Sequence, residues 1–282
     1  MPMLSLKEFI SLFNSYLKRK IEKLGHSQEF TPLLSYTPLS GGKRLRPYLI
    51  YLFSEPLGVS KEIYLELGTA VELFHSGSLV QDDLPSLDND DYRRGKPALH
   101  KLYGEGRALL AADYLMLYSG KIISSISLPA KLIVELMELW NETALEVIEG
   151  EFLDISISKG RPEEVEKIHR LKTASLFGFC FSSPYVCAGE VRKAISMKSA
   201  GIDFGRAFQI FDDIKDKVGS IATLGKTPGK DESQGRPSAL RYMEIEEAKE
   251  YARKLYTEAI KKIEFIEARK ALLEILSMIE KY

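Results

Sequence analysis

The sequence predicts an all-α protein on three observations. Apolar residues recur at the helical period over long segments, no run alternates strictly enough to argue a sheet, and glycine and proline collect in short clusters between the periodic segments. Residues 64–80 place Leu67, Val71, Phe74 and Ser78 along one stripe of a helix. Residues 135–155, 193–214 and 245–282 are similarly long and amphipathic. Loops are expected where the breakers gather, at 37–47, 84–97, 159–162 and 225–237. None of these is a long polar linker, so one domain covering 1–282 is expected.

Composition narrows the function class. With 282 residues and 45% hydrophobic content the chain can bury a large core. A formal net charge of -1 gives no global field that favours nucleic acid or an anionic membrane. No apolar stretch reaches membrane-spanning length free of charge, so no stable membrane anchor is expected. Cys180 and Cys187, seven apart on an expected buried helix, read as core packing and not as a disulfide. No secretory signal precedes them, and a cytoplasmic protein is expected.

Two aspartate clusters carry the chemistry: Asp82-Asp83-Leu84-Pro85-Ser86-Leu87-Asp88 and Asp212-Asp213-Ile214-Lys215-Asp216. Asp212 and Asp216 are one helical turn apart, roughly 6 Å along the axis, and project from one face. In the first cluster Pro85 should break the helix and let Asp88 curl back toward Asp82. Hard oxygen ligands suit Mg2+, which is commonly held by one or two carboxylates together with substrate phosphate oxygens. Either cluster alone is also read as a solvated helix end.

Basic residues accompany the acids. Asp91-Tyr92-Arg93-Arg94-Gly95-Lys96-Pro97 follows the first cluster, and Gly41-Gly42-Lys43-Arg44-Leu45-Arg46-Pro47 lies upstream. Guanidinium forks fit phosphate oxygens, and glycine lets backbone approach an anion closely. Alone, each stretch is also a surface charge run. Beside two carboxylate clusters, both are better explained by two diphosphates.

With these motifs the chain resembles the trans-isoprenyl diphosphate synthases, or polyprenyl synthetases, over nearly its whole length. The matching segments, in order, are Gly41 to Pro47, Glu72-Leu73-Phe74-His75 running into Ser78-Leu79-Val80-Gln81-Asp82-Asp83, Arg93-Arg94-Gly95, Lys172-Thr173, and Phe208-Gln209-Ile210-Phe211-Asp212-Asp213-Ile214-Lys215-Asp216. Leu224-Gly225-Lys226 follows at the expected distance.

The resemblance implies an isoprenoid-synthase helical bundle around a deep central cavity, with Mg2+ as cofactor and homodimeric assembly. It implies condensation of isopentenyl diphosphate with an allylic diphosphate, whose C–O bond ionises before the double bond attacks. Pyrophosphate itself is the base proposed for the family. Asp82, Asp88 and Asp212 match the Mg2+ ligands, with Asp83, Asp213 and Asp216 as supporting acids. Arg93, Lys172, Lys226 and Gln209 match the groups on the allylic diphosphate, and Lys43, Arg46, His75 and Arg94 those on isopentenyl diphosphate. Lys172, Thr173 and Gln209 also stabilise the cation through oxygen dipoles. His75, seven residues before Asp82 on one helical face, fits a phosphate contact, with a satisfied packing histidine as the alternative. Lys226 alone is a loop lysine; its place after the second cluster makes it a lid residue.

Three positions depart from the family pattern: Gln81 stands for histidine, Glu151 for glutamine in Gly-Gln-x-x-Asp, and Arg236 for lysine. None removes a metal ligand. Product length is read from the fourth and fifth residues before the aspartate pair, which form the cavity floor in the family and are here Ser78 and Gly77. Both are small, and Phe74, about one turn deeper, is expected to stop growth near C20. Farnesyl (C15) or longer (C25) products are alternatives, and plain core packing is the alternative role for Phe74. A class I terpene cyclase would lack the second aspartate cluster and the Lys43/Arg46 pair, and a non-catalytic partner subunit would have lost acids or arginines.

Overall fold

Residues 3–158, 160–218 and 236–280 are described by the structure, a computed structural model. Helix α1 (Leu6–Ile21) starts at a capping box, in which Ser5 Oγ accepts from the Glu8 N–H and the Glu8 carboxylate accepts from the Ser5 N–H. Its stripe of Phe9, Phe13, Leu17 and Ile21 is buried. Helices α2 (Thr31–Leu39) and α3 (Leu45–Ser54) follow, then α4 (Lys61–Asp82), capped by Ser60. A two-stranded hairpin, β1 (Tyr92–Arg93) and β2 (Lys96–Pro97), leads to α5 (Leu99–Tyr103) and α6 (Glu105–Ser124). Helix α7 (Ala130–Ser156) is followed by α8 (Pro162–Ile168), a π-helical turn (His169–Ala174), α9 (Ser175–Cys187) and α10 (Val191–Val218). A 3-10 turn (Ala239–Arg241), α11 (Ile245–Lys261) and α12 (Ile266–Glu280) complete the described chain.

The chain forms two compact units, residues 1–51 with 59–129 and residues 52–58 with 130–282. In the first, α4 packs along α6. Gly77 permits that approach, because a Cβ there would stand 2.7 Å from Met116 Cγ and 2.9 Å from the Ala112 carbonyl oxygen. In the second, α10 packs on α9 and α11, and α7 on α9 and the π-helical turn. Every residue of α9 is buried, which explains why its sequence is apolar all round. Cys180 and Cys187 are both buried there.

The long helices expected at 64–80, 135–155 and 193–214 are present with ends extended by a few residues. Two details differ from expectation. The segment 245–280 is not one helix but two, parted at Lys262 to Phe265, where Ile263 is fully buried outside either helix. No glycine or proline marks that break, so periodicity alone ran through it. The second is the small hairpin. Its two turn residues, Arg94 and Gly95, have φ of 54° and 73°, the positive pair that suits a tight antiparallel turn. Among the described residues, no helix is long and apolar enough to cross a membrane.

Candidate active site

The first aspartate cluster sits where α4 stops. After Asp82 the chain turns at Pro85 and returns, so that the Asp88 N–H donates to the Asp82 carbonyl at 2.9 Å and the Asp90 N–H to that of Asp83 at 3.2 Å. Asn89, at φ 51°, completes the reversal. The predicted curl of Asp88 toward Asp82 is therefore present. Asp82 and Asp88 are half-buried, whereas Asp83 is buried and accepts from Arg93 Nε at 2.9 Å and from Arg93 Nη2. Burial pushes Asp83 up to about 6 even with the guanidinium drawing it down. Asp90 lies 3.4 Å from the same guanidinium, so Arg93 is held by two acids beside the turn.

The glycine-rich segment builds a cationic cluster by closing the end of α2. Arg44 donates to the Pro38 carbonyl at 2.6 Å and Arg94 to the Thr37 carbonyl at 3.5 Å and to the Gly41 carbonyl just past the helix, so two guanidinium groups serve the carbonyl-rich end of α2. Arg44 is buried, pairs with Glu72 on α4 and donates to Asn14 Oδ1 at 2.9 Å. Its guanidinium is taken up by these protein groups. Arg46 Nη1 lies 3.4 Å from His75 Nε2, while Lys43 is exposed. Burial, followed by the charges of Arg46, Arg94, Arg93 and Arg44, holds His75 well below its ordinary value. The guanidinium groups of Arg46 and Arg94 thus both act on His75.

In the second unit the predicted residues fall into two linked groups. Lys172 Nζ lies 2.7 Å from Glu151 Oε2 and 2.6 Å from Asp154 Oδ2, and Arg236 Nη1 is 3.6 Å from Asp154 Oδ2. Gly150 makes this possible, since a Cβ there would meet the Lys172 backbone nitrogen at 2.2 Å. On the same turn Thr173 Oγ1 donates to Gln209 Oε1 at 2.7 Å, and Gln209 Nε2 donates to Asp213 Oδ1 at 2.9 Å. Asp213 Oδ2 also accepts from the Ala239 N–H at 2.9 Å and Ser238 Oγ at 3.1 Å, with His169 Nε2 at 3.3 Å. Burial raises the Asp213 carboxyl, but His169, Gln209 and the Ala239 N–H outweigh it and leave the group below its usual range. Asp212 is exposed and Asp216 buried on the same helix.

The donors suit Mg2+. Among the described residues no three acid, thiol or imidazole side chains close into a cage. Asp82 and Asp88 in the first unit, and Asp212 in the second, each offer carboxylate oxygens of the kind taken by an ion that keeps its waters and shares substrate oxygens. Asp83 and Asp213, by contrast, are committed to Arg93 and to the His169 network. His169 and Asp154 were not singled out from sequence; the spacing of Glu151 and Asp154, three apart on one helix face, was the available signal. Phe74 is buried, Ser78 Oγ donates to the His75 carbonyl at 3.0 Å, and Gly77 is filled by α6. Gly77 is small for helix packing, which the product-length reading did not anticipate. Lys226 lies outside the described residues.

A family model described as polyprenyl synthetase matches residues 27–276. The farnesyl diphosphate synthase of Geobacillus stearothermophilus is 32% identical over 267 residues, covering 89% of this chain and 88% of that protein. The chloroplastic geranylgeranyl pyrophosphate synthase of Capsicum annuum is 35% identical over 246 residues, covering 84% and 67%. Among solved structures, a geranyltranstransferase from Thermotoga maritima matches with a TM-score of 0.83 at 35% identity, covering 96% of this chain and 97% of that one. A geranyltransferase from Helicobacter pylori, solved with magnesium and isoprenyl diphosphate, matches with a TM-score of 0.85 at 26% identity, covering 98% and 97%.

Proposed function

The chain belongs to the polyprenyl synthetase family and is a prenyltransferase, and from that premise we propose that it condenses isopentenyl diphosphate with an allylic diphosphate to give an all-trans prenyl diphosphate, geranylgeranyl diphosphate (C20) being the main product. The observation that carries this reading is the intact pair of aspartate motifs at the ends of α4 and α10, with Arg93 and Lys172 held beside them by carboxylates. Asp82 and Asp88 in the first unit and Asp212 in the second are its Mg2+ ligands. Bound there, Mg2+ supplies charge stabilisation to the departing pyrophosphate.

The chain's own groups do the rest. Arg93, Lys172 and Lys226 bind the allylic diphosphate; Lys43, Arg46, Arg94 and neutral His75 bind isopentenyl diphosphate, His75 as a hydrogen-bond partner and not as a charge. The allylic C–O bond breaks and releases pyrophosphate, the double bond of isopentenyl diphosphate forms the new C–C bond, and the released pyrophosphate takes the proton whose C–H pair forms the new double bond. Thr173 and Gln209 offer oxygen dipoles to the cation while it lasts. Asp83, Asp213 and Asp216 support this arrangement. The reading treats residues 1–282 as one domain, cytoplasmic and homodimeric.

The test is direct. Purified protein is given Mg2+, radiolabelled isopentenyl diphosphate and an allylic starter, and the products are extracted into organic solvent. Chain extension is the expected result. A cyclic hydrocarbon from the allylic diphosphate alone, or no product, overturns it.

A further inference from the structure

We propose that His169 is a positioning residue that, through Asp213, fixes the hydrogen-bond direction of Gln209 and Thr173. The inference rests on the prenyl-transfer reading above. Two pairs four residues apart face each other here: His169 and Thr173 on the π-helical turn, Asp213 and Gln209 on α10. They meet as two antiparallel rungs, His169 Nε2 to Asp213 Oδ2 at 3.3 Å and Thr173 Oγ1 to Gln209 Oε1 at 2.7 Å.

Direction passes along this ladder. A threonine hydroxyl has one proton, and Thr173 gives it to Gln209, so toward any other neighbour its oxygen presents only lone pairs. That assignment holds only while Gln209 turns its carbonyl to Thr173. The amide is kept so because its other end donates to Asp213 Oδ1 at 2.9 Å; reversed, the amide oxygen would face a carboxylate. An acceptor-only oxygen suits an allylic cation, whereas an outward hydroxyl proton opposes it.

Asp213 is therefore the element to hold still. The Ala239 N–H and Ser238 Oγ draw Oδ2 toward the segment after α10. His169, buried, draws it back toward the turn that carries Lys172 and Thr173. Without the imidazole the carboxylate swings to Ser238 and Ala239, and Gln209 loses its fixed partner.

The experiment measures kcat and KM for both diphosphates in His169→Ala, His169→Gln, His169→Asn and Asp213→Asn, with far-UV circular dichroism on each. Loss of one buried charge-assisted hydrogen bond predicts a fall in kcat of about tenfold for His169→Ala, with both KM values within about twofold. The glutamine, whose Nε2 reaches as the imidazole does, should recover to within about threefold of wild type, while the shorter asparagine stays slow. Adding His169→Ala to Asp213→Asn should cost nothing further. If the alanine variant fails to fold, the glutamine and asparagine pair decides. Wild-type rates in His169→Ala, a loss confined to KM, or equal rates in the glutamine and asparagine variants overturn the proposal. A wild-type protein that does not elongate overturns the enzyme reading instead.

Discussion

Glu151 Oε2 lies 2.7 Å from Lys172 Nζ, and Asp154 Oδ2 lies 2.6 Å from the same ammonium, so one lysine is shared by two carboxylates. Where the family pattern has an amide, this chain carries a carboxylate, so Glu151 and Asp154 share Lys172, and Asp154 also has Arg236 at 3.6 Å. Among the described residues the other Glu151 oxygen, Oε1, is buried with no hydrogen-bond partner, so the carboxylate gains little from its site beyond the lysine. A diphosphate reaching Lys172 competes with it. Glu151→Gln keeps the volume and leaves Asp154 as the sole acid partner of that pair. Its KM for the allylic diphosphate should fall about threefold to tenfold, corresponding to about 1 kcal/mol of a partly exposed ion pair. Initial-rate kinetics with the allylic substrate varied checks this; an unchanged or higher KM shows that Glu151 does not compete.

Gly42 is the surface against which Arg94 lies. A Cβ at residue 42 would stand 2.9 Å from Arg94 Cζ, and the backbone there has φ of 124°. Gly42→Ala should cost about 1–2 kcal/mol through the unfavourable backbone alone. It should also displace the guanidinium that closes the end of α2, and the KM for isopentenyl diphosphate should rise while that for the allylic diphosphate holds. Gly41 has open space around it, so Gly41→Ala should show the strain without the KM effect.

The fold class and both aspartate motifs were legible because they depend on local facts: helical period, a proline after Asp83, acids one turn apart. What stayed hidden depends on partners distant in sequence. Nothing in Lys43-Arg44 says that Arg44 turns inward at φ 48° to meet Glu72, and nothing in Asp82-Asp83 says that Asp83 is the buried one that hydrogen-bonds Arg93. Nothing in His169 to Ala174 marks a π turn, which lies where Gly150 lets α7 press against the Lys172 backbone. That α6 packs against Gly77 was hidden as well, because a missing side chain does not reveal what lies beside it.

Arg44 and Glu72 predict a stability effect without a binding effect. Their side chains are 2% and 4% exposed. Removing one partner of such a pair leaves the other charge buried, which costs about 3–5 kcal/mol. Glu72→Gln should therefore lower the thermal midpoint by about 10 °C. At a temperature where the variant is folded, both substrate KM values should match wild type. A changed KM for isopentenyl diphosphate would move Arg44 into the substrate site.

His75 predicts a pH dependence with a definite sign. Its folded value is depressed, so in acid the unfolded chain binds a proton that the folded chain refuses. Stability from this residue is complete above the unfolded value near 6.5 and declines as pH falls below it. Urea midpoints measured in steps from pH 7.5 to 5 should fall more steeply for wild type than for His75→Gln. Parallel curves would show that the imidazole is not held neutral.

Phe74 separates packing from product length. It is 2% exposed on α4, one turn before Ser78, whose hydroxyl is tied back to the His75 carbonyl. If the ring only fills the core, Phe74→Ala leaves a cavity, costs about 3–5 kcal/mol and leaves the products alone. If the ring stops the growing tail, its removal also shifts the chromatogram toward products longer than C20. Gly77→Ala supplies the contrast, because its new methyl meets Met116 Cγ and the Ala112 carbonyl. It should destabilise the packing of α4 on α6 without lengthening the product. Longer chains from Phe74→Ala but not from Gly77→Ala are the expected pattern; an unchanged distribution from Phe74→Ala assigns the ring to the core.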